Sequence, residues 1–222
     1  MPRIPLFPLK TVLFPGMLLP IHVFEPRYLE MVDWCQSEGL PFGVVLIRRG
    51  SETGEPAVPY GVGTTARIIR RAKADEGGLN IVVVGRERFR ISRIEQKRPY
   101  LVGTTDVYPL RGIYAPGVGR LSGRLRSELN AYIEMLSESS GTVIQVDRLP
   151  DEPEILVWVV GIALQISSAQ RQRLLESEDM PTLLRRELEL LSLEKQLLKY
   201  IADTQEGRDD LEGLPFMHWS PN

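Results

Sequence analysis

The 222-residue chain has one cysteine, Cys35, and two histidines, His22 and His218. A single thiol excludes an internal disulfide framework and a cysteine-rich zinc site. His22 and His218 are too far apart to form a helical His-x-x-x-His pair. No Gly-Lys-Ser or Gly-Lys-Thr occurs, so there is no P-loop, and no Gly-x-Ser-x-Gly elbow accompanies His22. The glycines of Gly117-Val118-Gly119 have the wrong spacing for a dinucleotide fingerprint and read as a linker. No apolar run approaches the ~18–20 residues of a membrane helix. The N-terminus, with its early prolines, does not read as a signal peptide, so the expected location is cytoplasmic. The net charge of −2 supplies no global cationic field of the kind that marks nucleic-acid binders.

Proline is plentiful at the start. Pro2, Pro5, Pro8, Pro15, Pro20 and Pro26 exclude a helix interior there, because each removes a donor and clashes with the preceding turn. Leu19, Ile21 and Val23 alternate with Pro20 and His22 as in a half-buried strand. From Pro26 the period changes: Tyr28, Leu29, Val32 and Cys35 share a helical face that ends at Gly39. Cys35 on that face reads as a buried, unreactive thiol, and His22 as a strand histidine satisfied by a hydrogen bond. Strand patterns follow at Phe42–Ile47, Gly61–Ile69, Asn80–Gly85, Phe89–Ile94 and Tyr100–Val107, with a hairpin at Asp75-Glu76-Gly77-Gly78. Six short strands and one inserted helix predict a closed or nearly closed barrel.

After Gly112 the pattern turns helical. Leu121, Leu125, Leu129, Tyr132, Ile133 and Leu136 recur at three and four. A second helix is expected from Asp151 as N-cap, with Glu154 three residues on, through Ile166. Ser167 and Ser168 offer caps for a short third. A leucine-rich last helix runs from Pro181 to about Ala202, roughly 33 Å. The expected organisation is a barrel over residues 1–112, helices over 117–203, and a flexible tail over 204–222 with the apolar tip Leu214–Trp219. Charge divides similarly: +4 over residues 1–110, −2 over 111–170 and −4 over 171–222.

The residues PLFPLKTVLFPGMLLPIHVFEPRY (Pro5–Tyr28), FGVVLI (Phe42–Ile47), VGTTARI (Val62–Ile68) and GRERFRI (Gly85–Ile91) carry a strong resemblance to the N-terminal, substrate-binding domain of Lon-type ATP-dependent proteases. LEKQLL (Leu193–Leu198) extends it more loosely into the helices. The resemblance implies an α+β fold, a PUA-like β-barrel with an inserted helix followed by a helical bundle, and a role in capturing unfolded or exposed polypeptide segments. The chain ends before the ATPase and Ser-Lys peptidase of that family. The expectation is a stand-alone, non-enzymatic binding module without cofactor or metal, for which a separate protease or ATPase is a candidate partner.

Binding is expected in a cleft between barrel and helices. Phe24, Arg27, Tyr28 and Arg88 form the expected peptide-contact set, although Phe14, Phe24 and Phe89 also suit core positions. Glu25 and Arg27 are placed to form an ion pair at the helix start. The alternative is an RNA-binding face made by Arg86, Arg88, Arg90 and Arg93, the first three of which a regular strand would show on one side. With Phe89 turned inward and the net charge negative, nucleic acid is the less favoured partner.

Overall fold

The computed structural model describes residues 2–52, 57–74, 77–95, 98–141 and 148–212, the side chains of 140 and 205–212 excepted. Six strands and five helices follow in order: β1 (Arg3–Leu9), β2 (Leu18–Val23), α1 (Pro26–Glu38), β3 (Phe42–Arg49), β4 (Val58–Lys73), β5 (Leu79–Glu95), β6 (Val102–Val107), α2 (Val118–Ser140), α3 (Pro153–Ala163), α4 (Ser168–Leu175) and α5 (Met180–Glu212). The strands pair in the order β2-β5-β4-β3-β1-β6, and β6 pairs again with β5, which closes the ring. β1 and β3 are parallel, Leu6 opposite Gly43; the other ladders are antiparallel.

Three of the sequence-based strands belong to longer ones. Gly61–Ile69 lies within β4, and Asn80–Gly85 and Phe89–Ile94 are one strand, β5. The join survives because Arg86 and Glu87 together oppose Thr65, a β-bulge that adds a residue without ending the ladder. The Thr65 hydroxyl occupies the gap, accepting from the Glu87 N–H at 3.0 Å and donating to the Glu87 carbonyl at 3.2 Å. The hairpin forms with Lys73 opposite Leu79 and Gly77 at φ 83°; Asp75 and Glu76 lie outside the described residues.

A small core of Ile4, Leu6, Val45, Phe89 and Leu101 fills the ring. Glycine makes this packing possible. A Cβ on Gly43 or Gly63 would stand 2.5 or 2.7 Å from Phe89 Cζ, inside van der Waals contact. A second core joins β-strand residues Phe7, Phe42, Val44 and Ile81 to Tyr28, Met31, Val32 and Cys35 of α1. Pro26 opens α1, and Gly39, at φ 66°, ends it with its N–H on the Cys35 and Gln36 carbonyls.

The third core lies among the helices and reaches the strands: Leu125, Leu129 and Tyr132 of α2, Leu156, Val157 and Val160 of α3, Leu174 and Leu175 of α4, and Leu183, Leu184 and Leu191 of α5, with Phe14, Leu46 and Val62. Ser167 caps α4 in a capping box with Gln170. Asp151 does not cap α3. Glu152 occupies the N-cap without a side-chain bond, while Asp151 holds Arg126 at 3.2 Å and also pairs with Arg148. α5 begins one residue before Pro181 and continues past Ala202 to Glu212; the apolar tip Leu214–Trp219 lies outside the described residues.

Candidate functional site

At the boundary between the strand ring and the helices, where binding was expected, a cleft of about 230 Å³ lies between Arg86, Val107 and Tyr108 on one side and Glu154 and Trp158 of α3 on the other, and beneath it the seam is packed. Arg88 of β5 is 4% exposed. Its Nη1 donates to the Leu175 carbonyl at 2.6 Å and the Ser177 carbonyl at 2.8 Å. Its guanidinium lies 4.8 Å from the Tyr108 ring centroid and 5.1 Å from that of Trp158. Burial lowers its pKa to about 10, against the opposing fields of Tyr108 and Glu154, so it stays charged at neutral pH. Beside it, Tyr108 donates to the Glu176 carbonyl at 3.0 Å and Gln172 to the Val62 carbonyl at 3.0 Å. Phe14 stacks on Trp158 with centroids 5.8 Å apart, and Gly161 admits that ring closely.

An opening remains at the mouth of the ring. A cavity of about 250 Å³ is floored by Ile4 and Phe89, walled by Thr65, Thr105 and Glu87, and rimmed by Pro2, Leu40, Pro41 and Val107. Leu40 and Val107 are 48% and 63% exposed, unusual for apolar side chains beside a pocket that faces water. Through Pro41, Thr65 and Glu87 the cavity continues into a shallower groove across the bulge, where Arg67 and Arg86 line the wall. The mouth is therefore a greasy recess with a mixed-charge margin.

The side chains with reactive potential are occupied elsewhere. His22 Nδ1 is 2.8 Å from Asn80 Oδ1. Cys35 is 1% exposed, and burial pushes its thiol up to about 11 despite the nearby Arg98. Among the described residues no three His, Cys, Asp or Glu side chains are grouped to hold a metal ion.

The structure disperses the peptide-contact set. Phe24 is 57% exposed rather than core, with its ring 5.8 Å from that of His22, and it does not line the mouth. Arg27 pairs with Glu25 at 2.8 Å and lies 4.8 Å over the Tyr28 ring. Tyr28 is buried against Phe7, centroids 4.4 Å apart, and that burial raises its pKa. Arg88 borders the cavity, but its Nη1 is held by the two carbonyls of the seam. The arginine row is also broken. The bulge takes Arg86 out of phase, while Arg88 and Arg90, in regular register opposite Thr64 and Val62, share a face against Tyr108; Arg88 is buried under the helices, and Arg90 is exposed, 4.3 Å from the Tyr108 centroid and 3.4 Å from Glu178. Arg93 pairs with Glu95 at 3.7 Å.

Sequence reasoning missed Leu40 and Val107. The available signal was an apolar residue caught between the helix stop Gly39 and Pro41, and another at the end of a strand pattern before Pro109.

Comparison with known proteins bears on the whole of this architecture. The N-terminal domain of a Mycobacterium avium complex Lon protease shares the fold, with a TM-score of 0.68 at 22% identity over 86% of this chain and 98% of that one. A Lon N-terminal domain protein from Xanthomonas campestris superposes with a TM-score of 0.62 at 30% identity over the same shares. The Lon protease 2 of Myxococcus xanthus is 28% identical over 199 residues, 88% of this chain but 24% of its own length. A Lon protease of Porphyromonas gingivalis is 28% identical over 95% of the chain and 26% of its own. The chain thus spans about a quarter of the length of these relatives. No helix among the described residues is long and apolar enough to cross a membrane. With the family model matching residues 3–192, the chain belongs to the ATP-dependent protease La (LON) substrate-binding domain family.

Proposed function

We propose that this domain captures exposed apolar segments of other polypeptides at the mouth of the strand ring, and performs no bond chemistry on them. The observation that carries the reading is the recess floored by Ile4 and Phe89 and rimmed by the water-exposed Leu40 and Val107. The family description, a substrate-binding domain, and the relatives, named as Lon proteases, supply the class of ligand. An apolar side chain entering the recess gains ~25 cal/mol for each Å² taken from water, which favours many sequences over one. A captured segment would pass to a separate protease or ATPase.

The test is fluorescence anisotropy with a labelled, chemically unfolded polypeptide. Val107 is exposed, so Val107→Asp should leave the melting temperature unchanged while weakening capture about tenfold, equivalent to ~1.4 kcal/mol. Unchanged affinity would remove the mouth from the mechanism. Salt-sensitive RNA binding abolished by Arg86→Glu, with no polypeptide capture, would move the function to the basic margin.

A further inference from the structure

A second opening has a different chemistry. Between β1, α1 and the chain entering β6 lies a cleft of about 350 Å³ lined by Arg3, Pro5, Trp34, Arg98, Tyr100 and Val102. The guanidinium of Arg98 lies 4.6 Å from the Trp34 centroid and 5.8 Å from that of Tyr100. Its Nη1 donates to Tyr100 Oη at 2.7 Å. Two rings and one hydrogen bond hold a planar cation in place. That leaves most of its five N–H donors without a carboxylate among the described residues. Arg3, 54% exposed, adds a second guanidinium to the wall. Glu95, the nearby carboxylate, is already shared by Arg3 at 2.5 Å and Arg93 at 3.7 Å. Arg3 and Arg98 are the charged side chains among the residues that line the cleft, in a protein whose net charge is −2.

We propose that this cleft binds a carboxylate carried on a polypeptide, with Arg98 as the primary contact and an apolar neighbour of the carboxylate lying against Pro5, Trp34 and Val102. A guanidinium edge matches a carboxylate in a planar, paired geometry that an ammonium cannot copy. Because Arg98 is already immobilised by stacking, little side-chain freedom is lost when the ligand arrives. Taking the carrier to be a polypeptide rests on the reading of the mouth given above; the anion chemistry does not.

The experiment follows the Trp34 indole N–H resonance and the Arg98 Nε–H resonance in the full chain during titration with three acetylated apolar hexapeptides. One has a free C-terminus, one is C-terminally amidated, and one is amidated but carries a single glutamate. Both resonances should shift with a charged peptide and not with the neutral one. Response to the first charged peptide assigns the site to a chain terminus; response to the second assigns it to an acidic side chain. Arg98→Gln should weaken that binding at least about tenfold. Arg98→Lys should restore only part of it, because an ammonium does not stack as a plate. Equal shifts with the neutral peptide, or unchanged affinity in Arg98→Gln at unchanged melting temperature, would overturn the proposal. Neutral-peptide binding that responds to Val107→Asp would still leave the mouth intact. Carboxylate binding without capture at the mouth would sink that reading and keep this one.

Discussion

Arg88 in the seam and Arg98 in the cleft both stack against two aromatic rings, Tyr108 and Trp158 for one, Trp34 and Tyr100 for the other. Their surroundings then diverge. α4 and the residues after it bring the Leu175 and Ser177 carbonyls onto Arg88, and the helices exclude water from it. Among the described residues nothing comparable covers Arg98, whose one described hydrogen bond is to a tyrosine hydroxyl. Stacking orients a guanidinium in either place. The supply of acceptors from remote chain decides whether the oriented cation holds the protein together or stays available to a ligand.

That contrast can be broken most directly at Arg88. Arg88→Ala should cost about 3 kcal/mol, since two carbonyls lose a charged donor within a closed interface. The melting temperature should fall by roughly 6–12 °C in a thermal scan. A loss as small as that of Arg98→Gln, expected to be negligible, would mean that the two sites are alike.

Glu187 sharpens the contrast from within the helices. It is fully buried, neither carboxylate oxygen has a hydrogen-bond partner among the described residues, and burial raises its pKa well above the usual value. The folded state therefore holds this proton more tightly than the unfolded state, where a glutamate titrates near ~4.3. Its contribution to stability falls as pH rises from that value towards the folded pKa. Glu187→Gln should accordingly raise the melting temperature by a few degrees at pH 8, with the gain vanishing near pH 4. An unchanged difference across that range would show that the carboxylate is already neutralised by a partner. A modest effect belongs to Tyr108→Phe, which removes one bond to the Glu176 carbonyl and should cost about 1 kcal/mol in denaturant unfolding.

What the sequence disclosed follows from the range of the interactions concerned. Local signals were legible: Pro26 and Gly39 bound α1, Ser167 and Gln170 build a capping box, Glu25 and Arg27 pair, and His22 meets Asn80 across a ladder whose alternation was visible. The resemblance in Pro5–Tyr28 supplied the family. Arg86 was misplaced because the bulge at Arg86–Glu87 resets the strand phase, and Arg88 because alternation gives its face, shared with Arg90, but not the helices that cover it. The partners of Arg88 stand 87 and 89 residues away, so no window of sequence contains both ends of those bonds. Asp151 looked like a cap by residue type, but two arginines draw its carboxylate away from the helix start. Trp34 and Arg98 meet only through the fold.

β5 has a mechanical consequence. One continuous strand of 17 residues carries the ladder with β2 at its start and the ring closure with β6 at its end. No hinge axis can pass between those two regions without bending an unbroken backbone that is tied on both sides. Widening of the mouth to admit a thicker client is thereby confined to its margin at the Leu40–Pro41 corner, while the frame behind it keeps its gauge.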